Sequence, residues 1–139
     1  MQNIENKVAY ITGGTKGIGL GIAKALVDNG IKVAISGRNI DDVEKARQYL
    51  GKENVLAIQS DVRYFEDEQD AVEQIISTFG RLDIVIANAG LGKFAPIDEM
   101  SLEDWSAMID TNLTGVFHTL KATVEALKVS KGYYFSIAS

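Results

Sequence analysis

The chain has no cysteine, which removes a disulfide framework, a thiolate metal site and a cysteine nucleophile together. A reducing, cytoplasmic setting is the expectation that follows. Histidine occurs once, at His118, so a metal centre would have neither a second imidazole nor a thiolate to draw on, and none is expected. Cations are in deficit. The 14 Lys and Arg against 19 Asp and Glu give a formal charge of −5, and no run of Lys or Arg supplies the basic stripe that phosphate backbones require. Nucleic acid is therefore not an expected partner. Nor is a membrane: residues 1–7 lack the basic and apolar stretches of a signal peptide, and no apolar run approaches the ~20 residues that span a bilayer. A single proline and the lack of any low-complexity tract leave no candidate linker. The 139 residues suit one domain, 1–139, and at 46% hydrophobic they can bury a core.

What is present is a regular alternation. Short apolar, β-branched runs at 8–11, 33–35, 55–58, 84–87 and 133–137 are nearly unbroken, as strands covered on both faces should be. Between them, Ile18/Ile22/Ala25/Leu26, Val43/Ala46/Leu50 and Val72/Ile75/Ile76/Phe79 recur at helical spacing. Gly30, Gly51 and Gly80 follow these stripes, where helix C-termini favour glycine. Asp41-Asp42 and Glu66-Asp67-Glu68 fall at helix starts, where the macrodipole accounts for them without a metal. Ser101-Leu102-Glu103-Asp104 resembles a capping box. It opens a long pattern of Trp105, Met108, Ile109, Asn112, Leu113, Val116, Phe117, Leu120, Val124 and Leu127, one helix or a short one running into a long one. Within it Trp105, Met108, Phe117 and Leu120 read as core or as a subunit interface. The pattern predicts an α/β fold, a doubly wound parallel sheet between two helical layers, with ligands beyond the carboxyl ends of the strands. Because the sequence stops at Ser139 straight after an apolar strand, a piece of a longer protein is expected.

The first strand runs into Thr12-Gly13-Gly14-Thr15-Lys16-Gly17-Ile18-Gly19. Glycines here let backbone amides approach a diphosphate, and a helix N-terminus adds partial positive charge. G-x-G-x-x-G fails, since counting from Gly17 its third glycine falls on Ile22, and no Gly-Lys-Ser/Thr makes a P-loop. T-G-x-x-x-G-x-G fits, on Thr12, Gly13, Gly17 and Gly19.

At these residues the chain resembles the short-chain dehydrogenase/reductase family, and further motifs agree in order. Asn88-Ala89-Gly90 resembles the element that braces the sheet and lines the cofactor site. Asp61-Val62 resembles the acidic-apolar pair at the adenine. Asp110-Thr111-Asn112 matches the segment whose asparagine belongs to the catalytic set, and Phe135-Ser136-Ile137-Ala138-Ser139 the strand ending in the catalytic serine. The resemblance implies a Rossmann-like sheet of order 3-2-1-4-5, with the family's last strands lying beyond this sequence. It also implies a homo-oligomer and hydride transfer to or from a ketone or secondary alcohol, with a 3-oxoacyl thioester, as in the family's 3-oxoacyl-carrier-protein reductases, among the candidates. The loop residues Thr12, Gly13, Thr15, Lys16, Gly17, Ile18 and Gly19 then hold the cofactor, and Asn112 and Ser139 serve catalysis.

The second strand ends in Ser36-Gly37-Arg38-Asn39. Gly37 stands where an NAD site carries its ribose-binding carboxylate, and Arg38, with Asn39 beside it and Lys16 within reach, suits a 2′-phosphate. NADP(H) is the expected cofactor; solvated surface cations are the plainer reading. A methyltransferase, which also wants that carboxylate, fits less well. None of the five tyrosines has lysine four residues on, so the family's proton-donating Tyr-x-x-x-Lys is absent from these residues. The polypeptide is expected to bind cofactor without turnover, the alternative being a non-catalytic dinucleotide-binding module. Asn112 has a structural reading too, an amide on the buried stripe satisfying strand backbone, and His118 matches no motif.

Overall fold

The computed structural model describes residues 4–137, so Ser139, the expected catalytic serine, and Ala138 lie outside the described residues. Five strands, β1 Val8–Thr12, β2 Lys32–Gly37, β3 Val55–Gln59, β4 Ile84–Ala87 and β5 Tyr133–Ser136, form one parallel sheet of order β3-β2-β1-β4-β5. Helices α1 Gly17–Asp28, α2 Ile40–Leu50, α3 Phe65–Phe79, α4 Leu102–Ile109 and α5 Gly115–Ser130 connect them.

The period-two geometry of β1 separates the two layers. Ala9 and Ile11 face a core with Ala23 of α1 and Ala46 and Leu50 of α2. Val8 and Tyr10 face the opposite core with Ala71 and Ile75 of α3 and Leu127 of α5. All five β1 residues are buried, which places β1 at the centre and its carboxyl end under the glycine turn. β5 departs from the expectation of two covered faces: Tyr133 and Phe135 are 63% and 52% exposed.

Helix faces differ from their apolar stripes. α2 buries Val43, Ala46 and Leu50 as expected. In α1, however, Ile18 is exposed while Gly19 and Ala23 are buried, because the helix approaches β1 closely at its first turns. α3 turns Glu68, Ala71 and Ile75 inward and leaves Ile76 exposed. The long pattern resolves into α4, a π-turn at Asp110–Thr114, and α5. Ser101 does cap α4, its hydroxyl accepting from Asp104 N at 3.0 Å. The sheet-facing stripe is Thr111, Gly115, Thr119, Thr123 and Leu127, whereas Trp105, Ile109, Leu113, Phe117 and Leu120 face outward.

Asp83, just before β4, is buried and ties three segments together. Its carboxylate accepts from Val8 N at 2.9 Å and from Arg81 Nε and Nη2 at 2.8 and 2.6 Å. Burial pushes this carboxyl up, but the Arg81 guanidinium, the Val8 amide and Lys7 outweigh it and hold it below the ordinary value. A carboxyl lowered on folding stabilises the fold above its unfolded pKa of ~3.9, and that contribution disappears as pH falls through the lower folded value. Asp83→Ala is expected to cost about 2 kcal/mol near neutrality, chiefly through the orphaned amide. Urea titrations from pH 7 to pH 3 should show the difference from wild type shrinking toward the acid end.

Candidate functional site

At the carboxyl ends of β1 to β4 lies a cleft of about 810 Å³, the position that the topology favours for a ligand. Its floor is the glycine turn. Gly13 has φ of +64°, and a Cβ there would lie 2.8 Å from Ala89 Cα; no other residue combines that conformation with that approach. Gly17, at φ of +56°, has nothing within 4 Å of its missing Cβ, so the turn stays open there. The turn is pinned to the end of β4: Thr12 Oγ1 accepts from Asn88 N and Ala89 N at 3.0 and 3.1 Å, and Asn88 Nδ2 donates to Gly13 O at 3.0 Å.

Behind the turn, α1 begins. Helices α2, α3 and α4 carry acidic residues in their first turn, whereas α1, like α5, carries none, and Lys16 at its N-cap makes no side-chain cap bond. The unpaired amides and dipole of that end favour an anion.

Of the expected cofactor residues, Gly13, Thr15, Lys16 and Gly17 line the cleft, as do Arg38 and Asn39, Asp61 and Val62, and Asn88, Ala89 and Gly90. Thr12, Ile18 and Gly19 are not on its wall. Thr12 and Gly19 are buried beneath it as braces, and Ile18 is 67% exposed. Ser36, Gly37, Asp42, Ser60, Arg63 and Thr111 complete the lining.

At the β2 end a Cβ on Gly37 would come within 2.7 Å of Thr15 Cγ2, so a carboxylate there would require the Thr15 side chain to turn aside. Arg38 beside it is exposed and in no ion pair among the described residues. Lys16 is less free than its sequence suggests: its Nζ lies 3.0 Å from Asp42 Oδ2. Asn39 is also employed, its Oδ1 accepting from Asp41 N and Asp42 N at 2.9 and 3.2 Å as the cap of α2.

On the β3 side, Asp61 receives Arg63 in a fork, Nη2 to Oδ2 at 2.7 Å and Nε to Oδ1 at 3.1 Å. Burial raises this carboxyl, yet the Arg63 side chain and amide leave it below its ordinary value, so Asp61 is an anion at physiological pH. His118 explains itself here. Its Nδ1 lies 2.8 Å from Val62 O, and because a carbonyl only accepts, that nitrogen carries the proton. The histidine fastens α5 to the β3 loop.

Under the floor is a group that the sequence reading placed at a helix start. Glu68 is fully buried. Its Oε2 accepts from Tyr10 Oη and Ser60 Oγ at 2.8 and 2.6 Å, and its Oε1 from Thr119 Oγ1 at 2.9 Å. Burial and the nearby Glu68 push the Tyr10 phenol well up, which keeps it a donor. The available signal was spacing, since Glu68 shares the face of Ala71 and Ile75.

Asn112 is exposed and lies off the buried stripe. Its amide clasps a loop, Nδ2 donating to Leu91 O at 2.9 Å and Oδ1 accepting from Leu91 N at 2.8 Å. The strand-satisfying role expected for it therefore falls to loop backbone just beyond Gly90. Among the described residues no group of three or more His, Cys, Asp or Glu could hold a metal, and no helix is long and apolar enough to cross a membrane.

The chain that carries this arrangement, a glycine turn pinned by Thr12 and Asn88 beneath an uncapped helix end, also matches a family model. Residues 7–139 match the model described as short chain dehydrogenase. The chain belongs to the short-chain dehydrogenase family. An uncharacterized oxidoreductase of Staphylococcus aureus strain MRSA252 is 35% identical over all of this chain and 61% of its own length. An alcohol dehydrogenase of known structure, from the archaeon Thermococcus sibiricus and complexed with 5-hydroxy-NADP, is 39% identical with a TM-score of 0.87, covering 94% of this chain and 57% of that one. The 3-ketoacyl-(acyl-carrier-protein) reductase of Brucella melitensis complexed with NADH is 30% identical with a TM-score of 0.91, over 98% of this chain and 58% of that one. The chain thus spans about three-fifths of the length of the curated relative, 61%.

Proposed function

We propose that residues 1–139 form the cofactor-binding part of a cytoplasmic, NADP(H)-dependent oxidoreductase acting on a ketone or secondary alcohol. The observation that carries the cofactor choice is the β2 end, where Gly37 stands in place of a carboxylate and the exposed Arg38 beside it is in no ion pair among the described residues. The glycine turn and the α1 N-terminus hold the diphosphate, Arg38 and Lys16 the 2′-phosphate, and Asp61 and Val62 the adenine, with Asn88, Ala89 and Gly90 closing the β4 side. The bound nicotinamide supplies or accepts the hydride. Asn112 positions the loop at Leu91, and Ser139 hydrogen-bonds the substrate oxygen. A 3-oxoacyl thioester is one substrate candidate, supported by the name of the Brucella relative.

A polypeptide of these 139 residues contains no Tyr-x-x-x-Lys and hence no partner-tuned phenol to donate the proton. It binds coenzyme without oxidising it. Fluorescence titration should give NADPH an affinity at least ~10-fold above that of NADH, the scale of one charge-assisted bond. Arg38→Asp should reverse the order, and equal affinities in the wild type would remove the NADP assignment. Asp42→Asn, which frees Lys16, should widen the preference. The outward face of Trp105, Ile109, Leu113 and Phe117 pairs with a second copy, so light scattering should report a dimer.

A further inference from the structure

Asn29 is followed by Gly30, and none of the other asparagines in the sequence precedes a glycine. The pair closes α1: Asn29 is its C-cap, and Gly30, at φ of +81°, takes the left-handed position beyond it. Both residues are exposed. An asparagine in this context can be attacked by its own chain, because glycine has no side chain to keep its amide nitrogen away from the asparagine Cγ.

The closed turn holds the reacting groups apart. Gly30 N donates to Val27 O and Ile31 N to Leu26 O, each at 3.1 Å, the pair of bonds that ends many helices. Asn29 Nδ2 donates to Ala25 O at 2.7 Å, so the nitrogen that would leave instead covers an orphan carbonyl. At ψ of 16° the Gly30 nitrogen is turned away from Asn29 Cβ, whereas ring closure needs the two to eclipse. All of these restraints lie in one helix end, where opening costs least. That end is also electrostatically weak: it carries Asp28 and no basic residue in its last turn, against the macrodipole.

We propose that Asn29 is a site of spontaneous modification, converted through a succinimide to isoaspartate and aspartate whenever the last turn of α1 opens. The Gly30 nitrogen gives up its proton and attacks Asn29 Cγ; a C–N bond forms, the Cγ–Nδ2 bond breaks, and ammonia leaves. Water then opens the ring, at Cγ to give aspartate or at the main-chain carbonyl carbon to give isoaspartate. Neither product restores the turn. A carboxylate cannot donate to Ala25 O, and it adds a second negative charge beside Asp28. Isoaspartate also lengthens the main chain just before Ile31, which is buried in the core that Ala9 and Val33 form.

This inference is independent of the dinucleotide reading of the cleft. The 139-residue chain is incubated at mildly alkaline pH, folded and in denaturant, and fragment 25–32, released by trypsin at Lys24 and Lys32, is followed by mass spectrometry. An isoaspartyl methyltransferase distinguishes isoaspartate from aspartate. Conversion should appear first in this fragment, and the folded chain should convert at least ~10-fold more slowly than the denatured one, since the reaction waits on opening. Ile31→Val, which loosens the anchor of the turn, should speed the folded chain about threefold and leave the denatured rate unchanged. The modified chain, separated by ion exchange, should melt several degrees below wild type. Equal rates in the folded and denatured chains, or no acceleration by Ile31→Val, would overturn the gating by α1. A folded chain still unconverted when the denatured one is exhausted, or another asparagine converting ahead of Asn29, would overturn the site itself. An unchanged Tm would overturn the claim that the turn fails to re-form.

Discussion

Glu68→Leu is expected to lower stability by roughly 1–3 kcal/mol, the cost of orphaning the buried Ser60 hydroxyl. Tyr10 and Ser60 both donate to Glu68 Oε2, at 2.8 and 2.6 Å, and the side chains of all three residues are buried. Tyr10 and Thr119 lose less, because their hydroxyls also reach Ser36 Oγ at 3.1 Å and Gly115 O at 3.0 Å. Set against the ~5–15 kcal/mol of a typical domain, this is a sizeable fraction, worth roughly 4–12 °C in Tm at this size. Since the network joins β1, the end of β3, α3 and α5, the loss should appear as global unfolding in circular dichroism. Adding Ser60→Ala to Glu68→Leu should recover part of it, because the stranded donor is then removed. A decrease under about 1 kcal/mol for the single variant would mean that the Ser60 hydroxyl finds another partner.

The largest binding effect is expected of Gly13→Val, a loss of NADPH affinity of at least ~100-fold. Two independent costs meet at this position: a φ of +64°, and a Cβ placed 2.8 Å from Ala89 Cα, a backbone atom. A β-branched residue adopts neither cheaply. Relief requires the turn to move away from β4, which breaks the Asn88 Nδ2 bond to Gly13 O and displaces the amides from the floor of the cleft. Gly17→Ala is the control. There the φ of +56° is strained but the space is open, so a loss of about tenfold is expected from the ~1–2 kcal/mol conformational cost alone. Gly13→Val binding within about threefold of wild type would show that the turn does not form the floor.

The sequence made the strands legible because a central parallel sheet demands β-branched runs, and 8–11, 33–35 and 84–87 have little else. The glycine turn was legible for a similar reason, since its backbone can be built from few residue types. The facing of α5 was not. Its inward stripe is Gly115, Thr119, Thr123 and Leu127, three of them small or hydroxylated residues that let the helix approach the sheet, while Leu113 just before it and Phe117 and Leu120 point outward. Glu68 was hidden likewise: an acid in a first turn reads as a macrodipole partner until β1 supplies Tyr10 and α5 supplies Thr119 from sequence separations of 58 and 51. Lys16 looked free because Asp42 lies on another helix. On a regular helix Asn112 falls on the buried face, whereas the π-turn brings it out to the Leu91 loop.

The central claim is that the glycine turn, the α1 N-terminus and Arg38 together grip a 2′-phosphorylated dinucleotide. Amide NMR spectra of the 139-residue chain titrated with NADPH address it residue by residue. Saturable shifts should concentrate at Gly13, Gly17, Gly19, Arg38, Asp61 and Ala89, at a lower ligand concentration than NADH requires. Unmoved glycine-turn amides at saturating NADPH, or shifts confined to other parts of the sheet, would contradict it.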